Sequence, residues 1–150
     1  MVPLCIIPCG KKKIWDLDPE AGAVYAKDAY QGTLHHKCRK YAEANGCDWT
    51  ILSARHGFLL PYDIVPENYD TGFHFPKDQI IADAALTQQW QDKNLYATDT
   101  LVLLTGKKHE KVLERVLSQP EQYEWQKPLQ GCRGIGDILQ RLDLLSSTNT

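Results

Sequence analysis

Residues 4–13 read Leu4-Cys5-Ile6-Ile7-Pro8-Cys9-Gly10-Lys11-Lys12-Lys13. An apolar run that stops at a glycine followed by three lysines has the form of a buried parallel strand emptying into a polar loop. A strand covered on both faces has no reason to alternate apolar with polar residues. In open α/β sheets ligands bind beyond the carboxyl ends of the strands. There Gly10 permits close backbone approach, and Lys11, Lys12 and Lys13 supply charge for a phosphate.

Working outward, the same pattern recurs. Asp48-Trp49-Thr50-Ile51-Leu52 predicts a second strand that ends in Ser53-Ala54-Arg55-His56-Gly57. The apolar run at 100–104 predicts a third, ending in Thr105-Gly106-Lys107-Lys108-His109, and residues 122–128 a shorter fourth, followed by the glycine-rich turn 129–136 with Arg133. Between them lie helical spacings. Tyr30, Leu34, Cys38, Tyr41 and Ala42 predict a helix that starts at Asp28 as N-cap and stops at Asn45-Gly46. A second helix is expected from Pro76, with Ile81, Ala85, Leu86 and Trp90 inward. Val112, Leu113, Val116 and Leu117 mark a third, and Ile135, Ile138, Leu139 and Leu142 begin a last one. Residues 14–26 and 58–75 read as long loops, which are often functional.

Four strands alternating with helices imply an α/β fold, a four-stranded parallel sheet with helices on both faces. The 150 residues suit one domain, taken as 1–145, with a frayed end at 146–150. In a parallel sheet all four loops share one edge, so Lys11, Lys12, Lys13, Arg55, His56, Lys107, Lys108, His109 and Arg133 are expected to converge. The chain carries a net charge of −2, yet such a cleft favours a phosphate-bearing ligand, a nucleotide or a nucleic-acid backbone.

Several classes are disfavoured. No P-loop spacing and no G-x-G-x-x-G at the first helix argue against an NTPase or a dinucleotide enzyme, and Ser53 lies in no G-x-S-x-G elbow. Five cysteines, an odd number set among core residues, point to a reducing cytoplasm rather than a disulfide framework. His35, His36 and Cys38 would offer metal ligands from one helix, but no C-x-x-C pair completes a site, so no metal and no cofactor is expected. No stretch of about 18 apolar residues suggests a membrane span, and no leader is apparent. Cys9, beside lysines, reads either as a thiol of depressed pKa acting as nucleophile or as a small buried thiol supporting the loop.

The motifs Pro8-Cys9-Gly10-Lys11-Lys12-Lys13, Tyr30, Leu52-Ser53-Ala54-Arg55-His56-Gly57-Phe58-Leu59, Tyr69-Asp70 and Thr105-Gly106-Lys107 together resemble a family of small stand-alone bacterial and phage proteins. They are more distantly similar to the catalytic domain of archaeosine synthase. There a Pro-Cys is followed after three residues by Lys-Pro-Tyr, then after two by Ser, then after two by His. Pro8-Cys9, Lys13, Tyr30, Thr33 and His36 follow that pattern, with Thr for Ser, an insert between Lys13 and Tyr30, and Ala29 in the proline position. That domain in turn resembles the uracil-DNA glycosylase superfamily. The resemblance implies a three-layer α/β/α sandwich, a four-stranded parallel sheet of order 2-1-3-4, and a nucleobase as ligand.

The leading expectation is therefore a DNA glycosylase acting on a modified or damaged base, which extrudes the nucleotide and cleaves its N-glycosidic bond through a cationic sugar. Asp70 is the first choice for the carboxylate, Asp63 the second, and His56 would donate to the base or orient water. The superfamily's acid just after the first strand has no counterpart, Asp16 and Asp18 being the nearest. Cys9, Gly10, Tyr30, Ser53 and Tyr69 would surround the base, with Tyr30 or Tyr69 stacking on it. Lys11, Lys13, Arg55, Lys107, Lys108 and Arg133 would hold phosphates. The phage-linked distribution of the resembling family extends the expectation to a hypermodified base in viral DNA and an antiviral role. The alternatives are a transferase acting on a 7-deazaguanine and a non-enzymatic nucleotide- or nucleic-acid-binding module. The expected partner is nucleic acid, DNA before RNA, with no membrane.

Overall fold

The computed structural model describes residues 2–147. Its centre is a sheet in which the first apolar run forms β1, Leu4–Pro8. The other strands are β3 (Asp48–Ser53), β4 (Gly57–Leu59), β6 (Thr100–Leu103) and β7 (Glu124–Gln126), in the spatial order β4-β3-β1-β6-β7. β3, β1, β6 and β7 are parallel to their neighbours. The expected four-stranded parallel sheet is therefore corrected to five strands, since β4 adds an antiparallel edge to β3. Two short strands, β2 (Val24–Tyr25) and β5 (Ile64–Val65), pair antiparallel in a separate two-stranded sheet inside what the sequence showed only as loops.

Successive residues of the buried strands serve opposite faces, as the period of two demands. Cys5 and Ile7, Trp49 and Ile51, and Val102 and Leu104 pack into one core with Cys38, Tyr41 and Leu142. Leu4 and Ile6, Leu52, and Leu101 and Leu103 pack into the other with Leu86, Trp90, Val112 and Leu113. The first core is thus roofed by α3 (Thr33–Ala44) and α6 (Ile135–Ser147), the second by α4 (Asp83–Asp92) and α5 (Lys107–Val116). Ser146 is buried, with Oγ donating to Leu142 O at 2.7 Å, so Ser146 and Ser147 belong to the helix rather than to a frayed end. Residues 148–150 of that expected end lie outside the described residues.

Two helices start later than their spacing suggests. The run from Asp28 is split into α2 (Ala26–Ala29) and α3, because the chain at Tyr30 is drawn into a bridge with Lys13 and Gln31 N–H donates to Lys12 O at 2.9 Å. Pro76 caps a short 3₁₀ turn at Lys77–Gln79, and α4 follows only at Asp83. A further four-residue helix, α1 (Ile14–Leu17), follows the lysine loop. Among the described residues no helix is long and apolar enough to cross a membrane.

The connection β1-α3-β3 crosses one face and β3-α4-β6 returns over the other. The strand order therefore reverses between β1 and β6, the topological switch point at which α/β sheets open a crevice.

Candidate active site

At the carboxyl edge the lysine loop is fastened at both ends. His35, fully buried on α3, holds Pro8 O through Nδ1 at 3.0 Å. A carbonyl only accepts, so Nδ1 carries the proton. Burial keeps this ring neutral, pushing it down to about 4. Gly10 takes φ +75°, a left-handed conformation suited to glycine, with open space where a Cβ would stand. Asp16 accepts the Lys13 N–H at 2.9 Å, so this acid closes the loop onto α1.

The loop turns the Lys13 side chain inward until the residue is only 5% exposed. Its Nζ donates to Lys11 O at 3.2 Å and lies 4.7 Å from the centre of the Tyr69 ring. Among the described residues it makes no ion pair. A buried cation with one carbonyl and one aromatic face is costly unless a further negative partner joins it.

Beside it lies a chain of buried hydroxyls. Ser53, the last residue of β3, accepts the N–H groups of Arg55 at 3.2 Å and His56 at 3.1 Å. With both lone pairs taken, its own proton goes to the Tyr69 hydroxyl at 2.9 Å. Tyr69 also bonds the Tyr30 hydroxyl, and burial raises both phenols well above their ordinary value. The His56 ring meets the Tyr69 ring edge-on with centroids 4.9 Å apart. Burial, then the charge of Arg55, lowers the His56 pKa, so the imidazole is neutral near pH 7, and its Nε2 is buried without a partner.

The expected site residues divide accordingly. Cys9, Lys13, Tyr30, Ser53, His56 and Tyr69 come together. Tyr30 is wholly buried, however, so the expected stacking of its ring on a base is corrected: it offers no free face. The depressed pKa considered for Cys9 is likewise corrected. Burial raises it, outweighing the opposing Lys13 charge, backbone N–H groups and Tyr69 hydroxyl, and leaves a neutral thiol behind the cluster. Asp63 does not join the cluster: its carboxylate accepts Leu60 N–H and pairs with Lys93, both at 2.7 Å, at the opposite edge of the sheet. Asp70 follows Tyr69 but is exposed, with no side-chain bond tying it to the cluster among the described residues. Lys11, Lys12, Arg55, Lys107, Lys108 and Arg133 are exposed, and Arg55 faces Glu67 at 3.5 Å. His109 is turned inward, lowered to about 4 by burial, and packs against Phe73.

Sequence reading missed Gln89. From α4 its amide donates to His56 O at 2.9 Å and accepts Phe58 N–H at 2.8 Å, clamping the turn that presents His56. Gly57, at φ +76°, is needed there because an added Cβ would stand 2.1 Å from the Gln89 oxygen. A glutamine on a helical face carries no sequence signal of such a role. Among the described residues no group of three His, Cys, Asp or Glu side chains is arranged to hold a metal.

The sheet with its switch-point crevice and polar carboxyl edge defines an α/β protein with a buried polar cluster at that edge. The chain belongs to a family of unknown function, DUF6884, which it matches over residues 4–144. It is 45% identical over 143 residues to the uncharacterized protein YfjM of Bacillus subtilis (strain 168), covering 95% of this chain and 94% of that one. Among solved structures it is similar to AF0587, a protein of unknown function, at 14% identity and a TM-score of 0.44. That match covers 95% of this chain and spans 43% of the length of AF0587.

Proposed function

We propose that this protein is a DNA glycosylase that releases a modified or damaged base, on a scaffold of the uracil-DNA glycosylase kind. The observation that carries the reading is Lys13, a buried lysine without a carboxylate partner, beside a neutral histidine and a chain of hydroxyls at the sheet's carboxyl edge. In glycosidic cleavage the C1′–N bond breaks and its electron pair leaves on the base. Water then adds to C1′, and its proton ends on the base or in solvent. The departing base is anionic, and a cation held in a water-poor site is worth far more to it than to a neutral ground state. His56, neutral and with Nε2 unpartnered, suits a hydrogen bond to the base edge. Asp70, exposed beside Tyr69, is the nearest acid in sequence to orient water, and the exposed lysines would bind flanking phosphates and steer DNA.

The test is incubation of the purified protein with oligonucleotides bearing damaged bases and with phage DNA carrying natural base modifications, followed by alkaline cleavage at abasic sites. Strand breaks dependent on Lys13 support the reading. No abasic sites on any DNA, with the fold intact, overturn it. A nucleoside of altered mass in place of a lost base replaces it with base transfer at the same site.

A further inference from the structure

The cavity between the ends of β1 and β6 belongs to no residue of the cluster just described. It has a volume of about 420 Å³ and is lined by Pro8, Leu34, Leu104 and Ile138 together with Thr105, Gly106 and Lys107. That volume lies within the range of small-ligand sites. Four observations there point to one ligand chemistry. Thr105 is one of the residues lining the cavity, and its hydroxyl is buried without a partner. Gly106 caps the ten-residue helix α5 with no side-chain hydrogen bond, so the first N–H groups of that helix are not satisfied by a cap. Lys107 makes no ion pair among the described residues. The carboxylate in the wall, Glu110, is already neutralised by Lys127. The cavity thus has an unpartnered hydroxyl, helix N–H groups and a free ammonium beside apolar walls, with no uncompensated negative charge.

We infer that this cavity is a phosphate subsite, and that the ligand of the carboxyl edge is a nucleotide whose phosphate sits on Thr105, Gly106 and Lys107 while its base faces Lys13 and His56. Helix N-terminal N–H groups with an adjacent hydroxyl and lysine are matched to a phosphate in both charge and donor number. The spacing also fits. β3, β1 and β6 are consecutive neighbours, so the Ser53 and Thr105 ends stand two strand spacings apart, ~10 Å. That is comparable with the reach from base to phosphate within one nucleotide. The placement of the base rests on the glycosylase reading; the phosphate subsite does not.

The test titrates inorganic phosphate, then a deoxynucleoside 5′-monophosphate, then a short single-stranded oligonucleotide, into isotopically labelled protein, following the backbone amides of residues 105–108. Saturable shifts with inorganic phosphate are expected. Thr105→Val should weaken them severalfold and Lys107→Ala about tenfold, while Lys40→Ala, which removes an exposed charge from α3, should leave them unchanged. Tighter binding of the monophosphate than of the oligonucleotide assigns the subsite to a terminal phosphate, and the reverse assigns it to a phosphodiester in a strand. No saturable shift, or shifts indifferent to both Thr105→Val and Lys107→Ala in variants that keep the parent spectrum elsewhere, overturn the subsite. If phosphate binds as expected and no DNA acquires abasic sites, the subsite stands and the glycosylase reading falls.

Discussion

At the amino edge of the sheet a groove of about 720 Å³ runs past Val2, Asp48, Tyr62 and Lys93, and Asp63, Lys93 and Thr98 in its lining are used by the protein itself. Asp63 holds Leu60 N–H and Lys93, Lys93 also holds Phe58 O, and Thr98 donates to Val2 O at 2.9 Å. At the carboxyl edge the cavity is smaller, and its lining Thr105 has a buried, unpartnered Oγ1; beside it, at the same edge, Lys13 is buried without a carboxylate and His56 Nε2 without a partner. These polar groups of the amino edge are hydrogen-bonded within the protein, whereas two at the carboxyl edge are not. Stability alone selects against unsatisfied buried groups; His35 Nε2 and Arg39 Nε on α3 are also unpartnered, but His56 Nε2 and Thr105 Oγ1 stand at the strand ends, where a ligand could complete them.

Two lysines break or sharpen this contrast most strongly. Lys13→Ala is expected to lower base release by ~10²-fold or more while leaving urea stability unchanged or raised, because it removes a charge the fold does not need. Lys93→Ala should do the reverse, leaving release intact and costing roughly 1 kcal/mol, a modest figure because Asp63 is partly screened by solvent. Equal loss of stability in both variants would erase the distinction between the edges.

Acid reads the same contrast through His35, the ring that anchors β1 beneath the open edge. Its folded value of about 4 lies below the unfolded 6.5. The unfolded chain therefore takes up a proton that the folded chain refuses. Stability is level above pH 6.5, falls between 6.5 and 4, and has lost up to about 3 kcal/mol from this group below that window. The urea midpoint should fall less steeply across that window in His35→Gln than in the parent, even though the variant starts out weaker. Next in size, Ser53→Ala leaves two N–H groups without an acceptor and Tyr69 without a donor, an expected loss of roughly 2 kcal/mol, against roughly 1 kcal/mol for Tyr30→Phe.

What sequence could and could not show follows from how each part is held. β1, β3 and β6 were legible because strands packed on both faces are continuously apolar, and their order of burial is written in Leu4–Pro8, Asp48–Ser53 and Thr100–Leu103. The convergence of residues 9–13, 53–57 and 105–109 followed from parallelism alone. β4 was not legible: three residues after a turn carry too little pattern, and the turn at Gly57 is clamped by Gln89, 31 residues beyond Phe58. The break at Tyr30 was hidden for the same reason, since the helical spacing through Tyr30 is real and a backbone bridge to Lys13 overrides it. The roles of Asp63 and Cys9 were misjudged because a carboxylate's partner and a thiol's burial are tertiary properties. Lys93 claims the first, and the core beneath the loop sets the second.

The smallest effect is expected at Cys9, and it decides between two chemistries. If the cluster cleaves a glycosidic bond, the thiol is a filler behind Tyr69, and Cys9→Ser should change base release by no more than about threefold. If the edge instead transfers a group through a covalent bond to sulfur, the thiolate is indispensable and the same substitution abolishes turnover. Burial argues for the first outcome, because it holds Cys9 neutral against the pull of Lys13, Tyr69 and two N–H groups, and a neutral thiol is a poor nucleophile. A pH profile separates a partial effect from a full one. Alkaline activation that disappears in Cys9→Ser would show that the thiolate reacts once formed. A profile unchanged by the substitution assigns the cluster's chemistry to Lys13 and His56.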